Sequence, residues 1–222
     1  MIKAIIFDLD GTLLDRDTSV KVFVSRQYDR LNQRLQHIPK EKYIERFIQL
    51  DDHGYVWKDR VYRQLIHEFT IDRLTADELL HDYLIHFKDS CVPFPGLIEV
   101  LEELKRRHFQ IGMITNGKGQ FQLDNIKALG IDSYIEAILI SDWEGIKKPD
   151  PLIFKRATKR LKVSPEECVF IGDHPEKDVE AAKKSGMRSV WKRNSHWDGV
   201  DADAVIFDLG ELPDIIQSLH FT

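Results

Sequence analysis

Two aspartates, two residues apart, directly follow an apolar run near the start of the sequence. The run covers residues 5–7, Asp8 and Asp10 come next, and Gly11 follows at once. In isolation such a pair is typical of a turn or a helix cap. Because Gly11 lets the backbone turn sharply at this point, the two carboxylates become candidates for chemistry where other polar residues join them.

Three further apolar runs also lead into polar residues. In an open parallel sheet, ligands bind beyond the carboxyl ends of the strands. We therefore expect the polar residues after these runs to lie at one edge of a sheet, beside the two aspartates. They are Thr115 and Asn116 after 109–114, Lys148 in the loop after 137–140, and Asp173 with Asp178 after 169–171.

Crowding several carboxylates together costs Coulomb energy unless a cation neutralises them. The acids concerned are Asp8, Asp10 and Asp173, with Asp178 as a further candidate. Hard carboxylate oxygens without His or Cys partners suit Mg²⁺, which favours a phosphate oxygen as an additional ligand. A nearby hydroxyl and ammonium would hold the other phosphate oxygens. The residue types predict an acidic magnesium site that handles phosphate.

The elements that position these residues alternate in type. Short apolar runs and amphipathic helical segments follow one another from residue 93 onward, which predicts a parallel sheet with helices on both faces. Asp150 before Pro151 is a typical helix start, and Gly130 and Gly186 stand at helix ends. The predicted strands cover 2–7, 109–114, 137–140, 169–171, 189–191 and 204–207, and the predicted helices 96–107, 119–129, 151–161 and 176–185.

Residues 16–89 differ, because they are polar, helical in spacing and almost without strand signal. Pro39 separates the first two of about four helices. We therefore predict an α/β fold with a Rossmann-like, doubly wound parallel sheet. Its core domain comprises residues 1–15 and 90–222, and an all-helical cap domain over 16–89 is inserted into it.

Four motifs follow one another in the order and approximate spacing of the haloacid dehalogenase (HAD) superfamily, which the chain resembles. The resemblance covers the whole core, and the insertion after the first motif resembles that superfamily's helical C1 cap. The motifs are Asp8-Leu9-Asp10-Gly11-Thr12, Thr115-Asn116-Gly117, Lys148-Pro149, and Gly172-Asp173 with Asp178.

The resemblance implies a role for each matching acid. Asp8 would be the nucleophile that forms a phospho-aspartate, and Asp10 the general acid and then the general base. Mg²⁺ would be bound by Asp8, Asp173 and the backbone carbonyl of Asp10. Asp178 would either join these ligands or orient a metal-bound water.

The resemblance also implies which residues bind phosphate. Thr115, the Asn116 backbone amide and Lys148 would stabilise charge on the transferring phosphoryl group. Lys148 matches better than Lys147, because the lysine of the family directly precedes proline.

Asp10 separates branches within the superfamily. Members that resemble 2-haloacid dehalogenases lack this second aspartate, since a halide leaving group needs no proton. A phosphatase is therefore expected, and dehalogenation or phosphonate cleavage is the alternative reaction. A phosphoryl-accepting, receiver-like signalling module is the alternative from another class, although such modules lack a large insertion after the first strand.

The overall composition restricts partners and location. The 222 residues carry 32 Lys and Arg against 37 Asp and Glu, a net charge of −5, which disfavours binding to a nucleic-acid polymer. No apolar run approaches a membrane span and no signal peptide is visible. We expect a cytoplasmic enzyme, a monomer or dimer, that acts on a small phosphorylated metabolite such as phosphoglycolate, a nucleoside monophosphate or a sugar phosphate.

Two other groups of residues have open roles. His174 follows Asp173 and either contacts substrate or a metal-bound water, or takes no part in the site. Trp57, Lys58 and Arg63 either contact a substrate from the helical insertion or belong to an ordinary loop and helix start.

Overall fold

A parallel β-sheet lies at the centre of the first of two compact units into which the chain divides. The computed structural model describes residues 1–220. The sheet unit comprises residues 1–15 and the chain from residue 93 onward, and the second unit comprises Arg16–Val92.

Six strands form the sheet within the described residues, and every adjacent pair is parallel. Their order is β3-β2-β1-β4-β5-β6. All six predicted strands are present, with ends that shift by a few residues. They are β1 (Ala4–Phe7), β2 (Gln110–Thr115), β3 (Ala137–Ile140), β4 (Cys168–Gly172), β5 (Arg188–Lys192) and β6 (Ala204–Ile206).

The second unit is helical, and aromatic side chains fill its interior. The Phe23 and Tyr83 rings pack edge to face at 5.1 Å, and the Phe47 and Tyr62 rings at 5.5 Å. The buried Gln27 accepts a hydrogen bond from the Tyr62 hydroxyl at 3.0 Å. The helices are α1 (Arg16–Arg30), α2 (Asn32–Leu35), α3 (Lys40–Asp51), α4 (Lys58–Phe69) and α5 (Ala76–His86).

The helical unit extends three residues beyond the predicted end at residue 89. A 3₁₀ turn, Phe87–Ser90, follows α5, and the Phe87 ring packs against Phe23 of α1 at 5.8 Å. The Val92 amide then donates to the Ser19 hydroxyl of α1 at 2.8 Å. These contacts hold the segment after α5 against α1.

Helices of the sheet unit cover both faces of the sheet. Ala4 and Ile6 belong to a buried cluster that includes Phe154 and Phe170, whereas the alternate residue Ile5 points to the opposite face. The predicted α/β, Rossmann-like fold is thus confirmed. The helices are α6 (Leu97–Arg106), α7 (Gly119–Ala128), α8 (Ser141–Glu144), α9 (Pro151–Leu161), α10 (Ala181–Lys184) and α11 (Leu212–His220).

The helix predicted over 176–185 has a different start. A π-helical turn, Pro175–Glu180, precedes the short α10. Such wide turns are frequent at functional sites. Among residues 1–220, no helix combines the length and apolar character needed to cross a bilayer.

Candidate active site

The ends of β1, β2 and β4 bring the predicted site residues to one edge of the sheet. Phe7 of β1 pairs with Met113 of β2 and with Ile171 of β4. The residues that follow each strand therefore emerge side by side. The Asp8 amide continues the ladder by donating to the Ile171 carbonyl at 2.9 Å.

Lys148 joins two of the carboxylates. Its ammonium group donates to Asp8 Oδ1 at 2.6 Å and to Asp178 Oδ1 at 2.6 Å. All three side chains are buried. Burial by itself would lower the pKa of Lys148, but the charges of Asp178 and Asp8 raise the pKa above its usual range. Lys148 therefore remains protonated and holds the two acids together.

Carboxylates outnumber cations at this edge, and their pKa values reflect it. Burial raises the pKa of Asp8 to about 7; Lys148 opposes the rise, and the charges of Asp178 and Asp10 add to it. Burial also raises the pKa of Asp173 well above its usual range, with Asp178 and Asp8 acting in the same direction. The site therefore stabilises an added cation.

Asp8, Asp173 and Asp178 form a possible metal-binding group. One carboxylate oxygen from each lies within 4.8 Å of the others. Three hard oxygen donors with no nitrogen or sulfur donor among them match the preference of Mg²⁺. The donor set thus fits the predicted metal.

Protein donors already engage several of these oxygens. Asp178 Oδ2 accepts from the His174 amide at 3.1 Å, and Asp178 Oδ1 accepts from Lys148. Asp173 Oδ2 accepts from the Asn194 side chain at 3.0 Å, and the Asp173 carbonyl accepts from the Trp191 indole at 2.8 Å. Both oxygens of Asp178 are engaged, whereas only Oδ2 of Asp173 has a described protein donor.

Two glycines allow this crowding. Gly11 has φ +82°, and a Cβ at this residue would lie 2.3 Å from Asp173 Oδ2. A Cβ on Gly172 would lie 2.4 Å from the Asp178 Cβ. The backbone can approach the two acids only where a side chain is absent.

Asn116 acts through its side chain in this structure. Its Nδ2 donates to the Lys148 carbonyl at 3.0 Å, and its Oδ1 accepts from the Lys148 amide at 2.9 Å. The Lys148–Pro149 peptide bond is cis. The paired hydrogen bonds fix the lysine loop against the end of β2, a contact that the sequence analysis did not predict.

Gln122 links Asp10 to Thr115. Its Nε2 lies 2.7 Å from Asp10 Oδ2 and 2.7 Å from Thr115 Oγ1. Sequence reasoning missed Gln122, because a glutamine on an amphipathic helix is usually exposed. It also missed Trp191, near the end of β5, and Asn194, just after β5, because neither residue belongs to a recognisable motif.

His174 stabilises the π-helical turn. Its Nδ1 accepts from the Glu176 and Lys177 amides at 3.2 and 3.3 Å. Burial, followed by the charge of Lys177, lowers the pKa of His174. The lone pair of His174 Nδ1 is therefore occupied by backbone amides. This favours the alternative in which Nδ1 contacts neither substrate nor a metal-bound water.

The candidate substrate contacts in the helical unit differ in exposure. Lys58 is buried and forms an ion pair with Asp51, whose Oδ2 also accepts from Arg16 at 2.8 Å. Arg63 pairs with Asp59 at 3.2 Å. Trp57 is 49% exposed. Lys58 is thus a structural cation within its unit, whereas the side chains of Trp57 and Arg63 are about half or more exposed.

Comparison with known proteins identifies one family, and similar proteins in it are named as phosphatases. The haloacid dehalogenase-like hydrolase family matches residues 5–192. Glyceraldehyde 3-phosphate phosphatase from Pyrococcus furiosus is 32% identical, over 97% of this chain and 93% of that protein.

Two solved structures share the fold along almost the whole chain. A HAD phosphatase from Thermococcus onnurineus has 30% identity and a TM-score of 0.68, covering 97% of this chain and 98% of that one. A 2-haloacid dehalogenase from Pseudomonas syringae pv. Tomato has 29% identity and a TM-score of 0.65, covering 98% and 99%. Because these relatives are named for different reactions, the choice between them depends on the site residues.

Proposed function

This chain belongs to the haloacid dehalogenase-like hydrolases, and within that family we propose that it is a Mg²⁺-dependent phosphatase acting on a small phosphomonoester. The observation that carries the proposal is the buried Lys148 bridge between Asp8 and Asp178, with Asp173 close to both acids. An acidic site with one fixed cation suits the transfer of an anionic phosphoryl group from an ester to a carboxylate.

Asp8 is the proposed nucleophile. In the first step a carboxylate oxygen of Asp8 forms a bond to phosphorus while the bond from phosphorus to the ester oxygen breaks. In the second step water attacks the phosphorus of phospho-Asp8, and inorganic phosphate leaves as the carboxylate is restored. The Lys148 bond at Asp8 Oδ1 and the Thr12 hydroxyl, 3.5 Å from Oδ2, hold the carboxyl plane, and Oδ2, which has the longer of the two contacts, is the proposed attacking atom.

Asp10 is the proposed acid and base. It gives its proton to the departing alkoxide in the first step and takes a proton from the attacking water in the second. A halide needs no such proton, so Asp10 favours the phosphatase over the dehalogenase that is also among the relatives. No described residue specifically favours phosphonate cleavage, and the family match does not support the receiver-like alternative.

Thr115 and Lys148 are the proposed phosphoryl-binding residues, together with the Asn116 backbone amide. The Thr115 side chain is buried, and its hydroxyl can donate one hydrogen bond to a phosphoryl oxygen. The Asn116 side chain, which bonds the Lys148 backbone, holds the lysine loop against the end of β2, where Thr115 lies. Donors held in place before the reaction need no reorganisation as charge moves onto the phosphoryl oxygens.

Asp8 and Asp173 are the proposed side-chain ligands of Mg²⁺, with the carbonyl of Asp10. When bound, Mg²⁺ supplies positive charge that offsets the crowded carboxylates and the phosphoryl oxygens. Both oxygens of Asp178 also accept hydrogen bonds, from Lys148 and the His174 amide, and its proposed role is either to join these ligands or to orient a metal-bound water.

The substrate class follows from the relatives. One is named for glyceraldehyde 3-phosphate, a three-carbon phosphomonoester, and the proposal for this chain is a small phosphorylated metabolite of that size or slightly larger. We assign selectivity among such substrates to the helical unit, which is inserted after the β1 motif as a C1 cap is.

Phosphate release from a panel of phosphomonoesters tests the proposal. The panel holds glyceraldehyde 3-phosphate, phosphoglycolate, glucose 6-phosphate, AMP and p-nitrophenyl phosphate, assayed with Mg²⁺ and with EDTA. We expect release that requires Mg²⁺ and is lost in Asp8→Asn. Release that persists in EDTA or in Asp8→Asn would contradict the mechanism, and chloride release from 2-chloropropionate without phosphate release would favour the dehalogenase.

A further inference from the structure

Gln122 is a buried amide on the first turn of α7 that contacts two residues of the proposed site. It is 2% exposed. Its Nε2 lies 2.7 Å from the Asp10 carboxylate and 2.7 Å from the Thr115 hydroxyl, and its Oε1 lies 3.2 Å from Asn125 Nδ2. One side chain thus touches both the proposed acid–base residue and a proposed phosphate-binding residue.

The chemistry of the neighbours fixes which way the amide of Gln122 points. An amide nitrogen carries two hydrogens and no acceptor, and a carboxylate accepts only. With Nε2 toward Asp10 and Thr115, both hydrogens have acceptors and Oε1 accepts from Asn125. The flipped amide would place Oε1 against the carboxylate of Asp10 and Nε2 against the donor of Asn125, so it is disfavoured.

The consequence for Asp10 concerns the position of its proton. Oδ2 accepts a hydrogen bond from Gln122, so the proton that Asp10 carries as an acid resides on Oδ1. The amide also restrains rotation of the carboxyl group about its bond to Cβ. General acid catalysis needs the proton to lie within hydrogen-bond reach of the leaving oxygen, and Gln122 determines which oxygen presents it.

The consequence for Thr115 concerns its hydroxyl hydrogen. A hydroxyl group offers one donor and two acceptor positions. Since Gln122 donates to Thr115 Oγ1, one acceptor position is filled and the hydroxyl hydrogen points elsewhere. Within residues 1–220 no protein acceptor takes that hydrogen, which leaves it to donate to a phosphoryl oxygen.

Neighbouring residues make room for Gln122 and hold its helix. A Cβ on Gly117 would lie 2.7 Å from Gln122 Cγ and 3.2 Å from Nε2. The Gly119 amide, at the start of α7, donates to Asp142 Oδ2 at 3.0 Å. The absence of a side chain at Gly117 therefore leaves space for Gln122, and the hydrogen bond from Gly119 to Asp142 holds the start of its helix in place.

We propose that Gln122 is a positioning residue for phosphoryl transfer, which orients the proton of Asp10 toward the leaving oxygen and the hydroxyl of Thr115 toward the phosphoryl group. The inference rests on the proposed function, because it assigns Gln122 no chemistry of its own. It predicts an effect that depends on the leaving group of the substrate.

The test compares two classes of ester in wild type and in Gln122→Met, which keeps the length of the side chain but has no donor. An alkyl phosphate needs a proton on its leaving oxygen, whereas p-nitrophenolate leaves without one. We expect kcat/KM for the best alkyl phosphate of the panel to fall about 10–100-fold. For p-nitrophenyl phosphate the loss should be smaller by about tenfold, because only the Thr115 contribution is removed.

Gln120→Met is the matched control. Gln120 is exposed on the same turn of α7 and donates to Asp124 at 2.8 Å, so kcat/KM for both esters should stay at the wild-type value. Gly117→Ala is the second variant, since it keeps the amide but displaces it. It should also reduce kcat/KM more for the alkyl ester than for the aryl ester.

The outcomes separate this inference from the proposed function. Equal losses for the two esters in Gln122→Met and in Gly117→Ala, or no loss relative to Gln120→Met, would overturn the positioning role while wild type remains an active phosphatase. Wild-type protein that releases no phosphate, or that is unaffected by Asp8→Asn, would overturn the proposed function and this inference with it.

Discussion

Metal-free protein should become more stable when the charge of Asp8 is removed. Burial raises the pKa of Asp8 from 3.8 to about 7. Between these two pH values the folded protein holds a proton that the unfolded chain releases. The contribution of Asp8 to the free energy of unfolding is therefore full below pH 3.8 and is lost as the pH rises through 7.

The size of the effect follows from the two pKa values. At about 1.36 kcal/mol for each pH unit, the rise from 3.8 to about 7 corresponds to a loss of about 4 kcal/mol at pH 8. Roughly a third of that loss has already occurred at pH 5. Asp8→Asn has no charge to bury, so its stability advantage over wild type should grow by about 3 kcal/mol between pH 5 and pH 8.

Urea unfolding in EDTA at pH 5, 6.5 and 8 measures this difference. Asp72→Asn, at an exposed position of the helical unit, is the control. Its difference from wild type in free energy of unfolding should be the same at pH 5 and pH 8. Added Mg²⁺ should stabilise wild type more than Asp8→Asn, because the variant lacks a proposed ligand. An advantage of Asp8→Asn that is absent at pH 8, or equal at pH 5 and pH 8, would refute the electrostatic reasoning.

Two further substitutions have matched controls. Lys148→Met should lower kcat by about 10²–10³-fold, because it removes a fixed cation at the phosphoryl group; Lys147→Met, at the exposed neighbouring residue, should leave kcat unchanged, and equal effects of the two would contradict the assignment. Gly96→Ala should cost about 1–2 kcal/mol in unfolding free energy, since Gly96 has positive φ and open space around it, and Gly11→Ala should cost more, because its Cβ would also overlap Asp173. Only Gly11→Ala should raise the Mg²⁺ concentration needed for activity, because its Cβ would meet Asp173; the same Mg²⁺ dependence in both variants would contradict that reading.

The fold was largely predictable from the sequence, because the strands of a parallel sheet are continuous apolar runs and helix ends carry recognisable residues. Asp150 and Pro151 begin α9 as predicted. The π-helical turn at Pro175–Glu180 was not predictable, since it depends on tertiary contacts. The Asp178 carboxylate accepts from the His174 amide, and Gly172 allows the Asp178 side chain to approach.

The site was predictable only in part. The strand-end rule places Asp8, Asp173 and Thr115 together, because it follows from the geometry of any parallel sheet. Helical spacing does not reveal which polar residue of α7 turns toward the site, so Gln122 went unnoticed. Lys58 next to Trp57 suggests an exposed binding surface, but its buried pairing with Asp51 depends on the packing of α3 against α4.

Trapping the phosphorylated protein tests the central claim most directly. Asp10→Asn, mixed with Mg²⁺ and p-nitrophenyl phosphate, whose leaving group needs no proton, should accumulate phospho-Asp8, since the proposed base of the second step is absent. Rapid acid quenching, proteolysis and mass spectrometry should locate the added phosphoryl group in the peptide that contains residue 8, and it should be missing in Asp8→Asn. Phosphate release by wild type with no adduct in that peptide, or an adduct on another residue, would contradict the account.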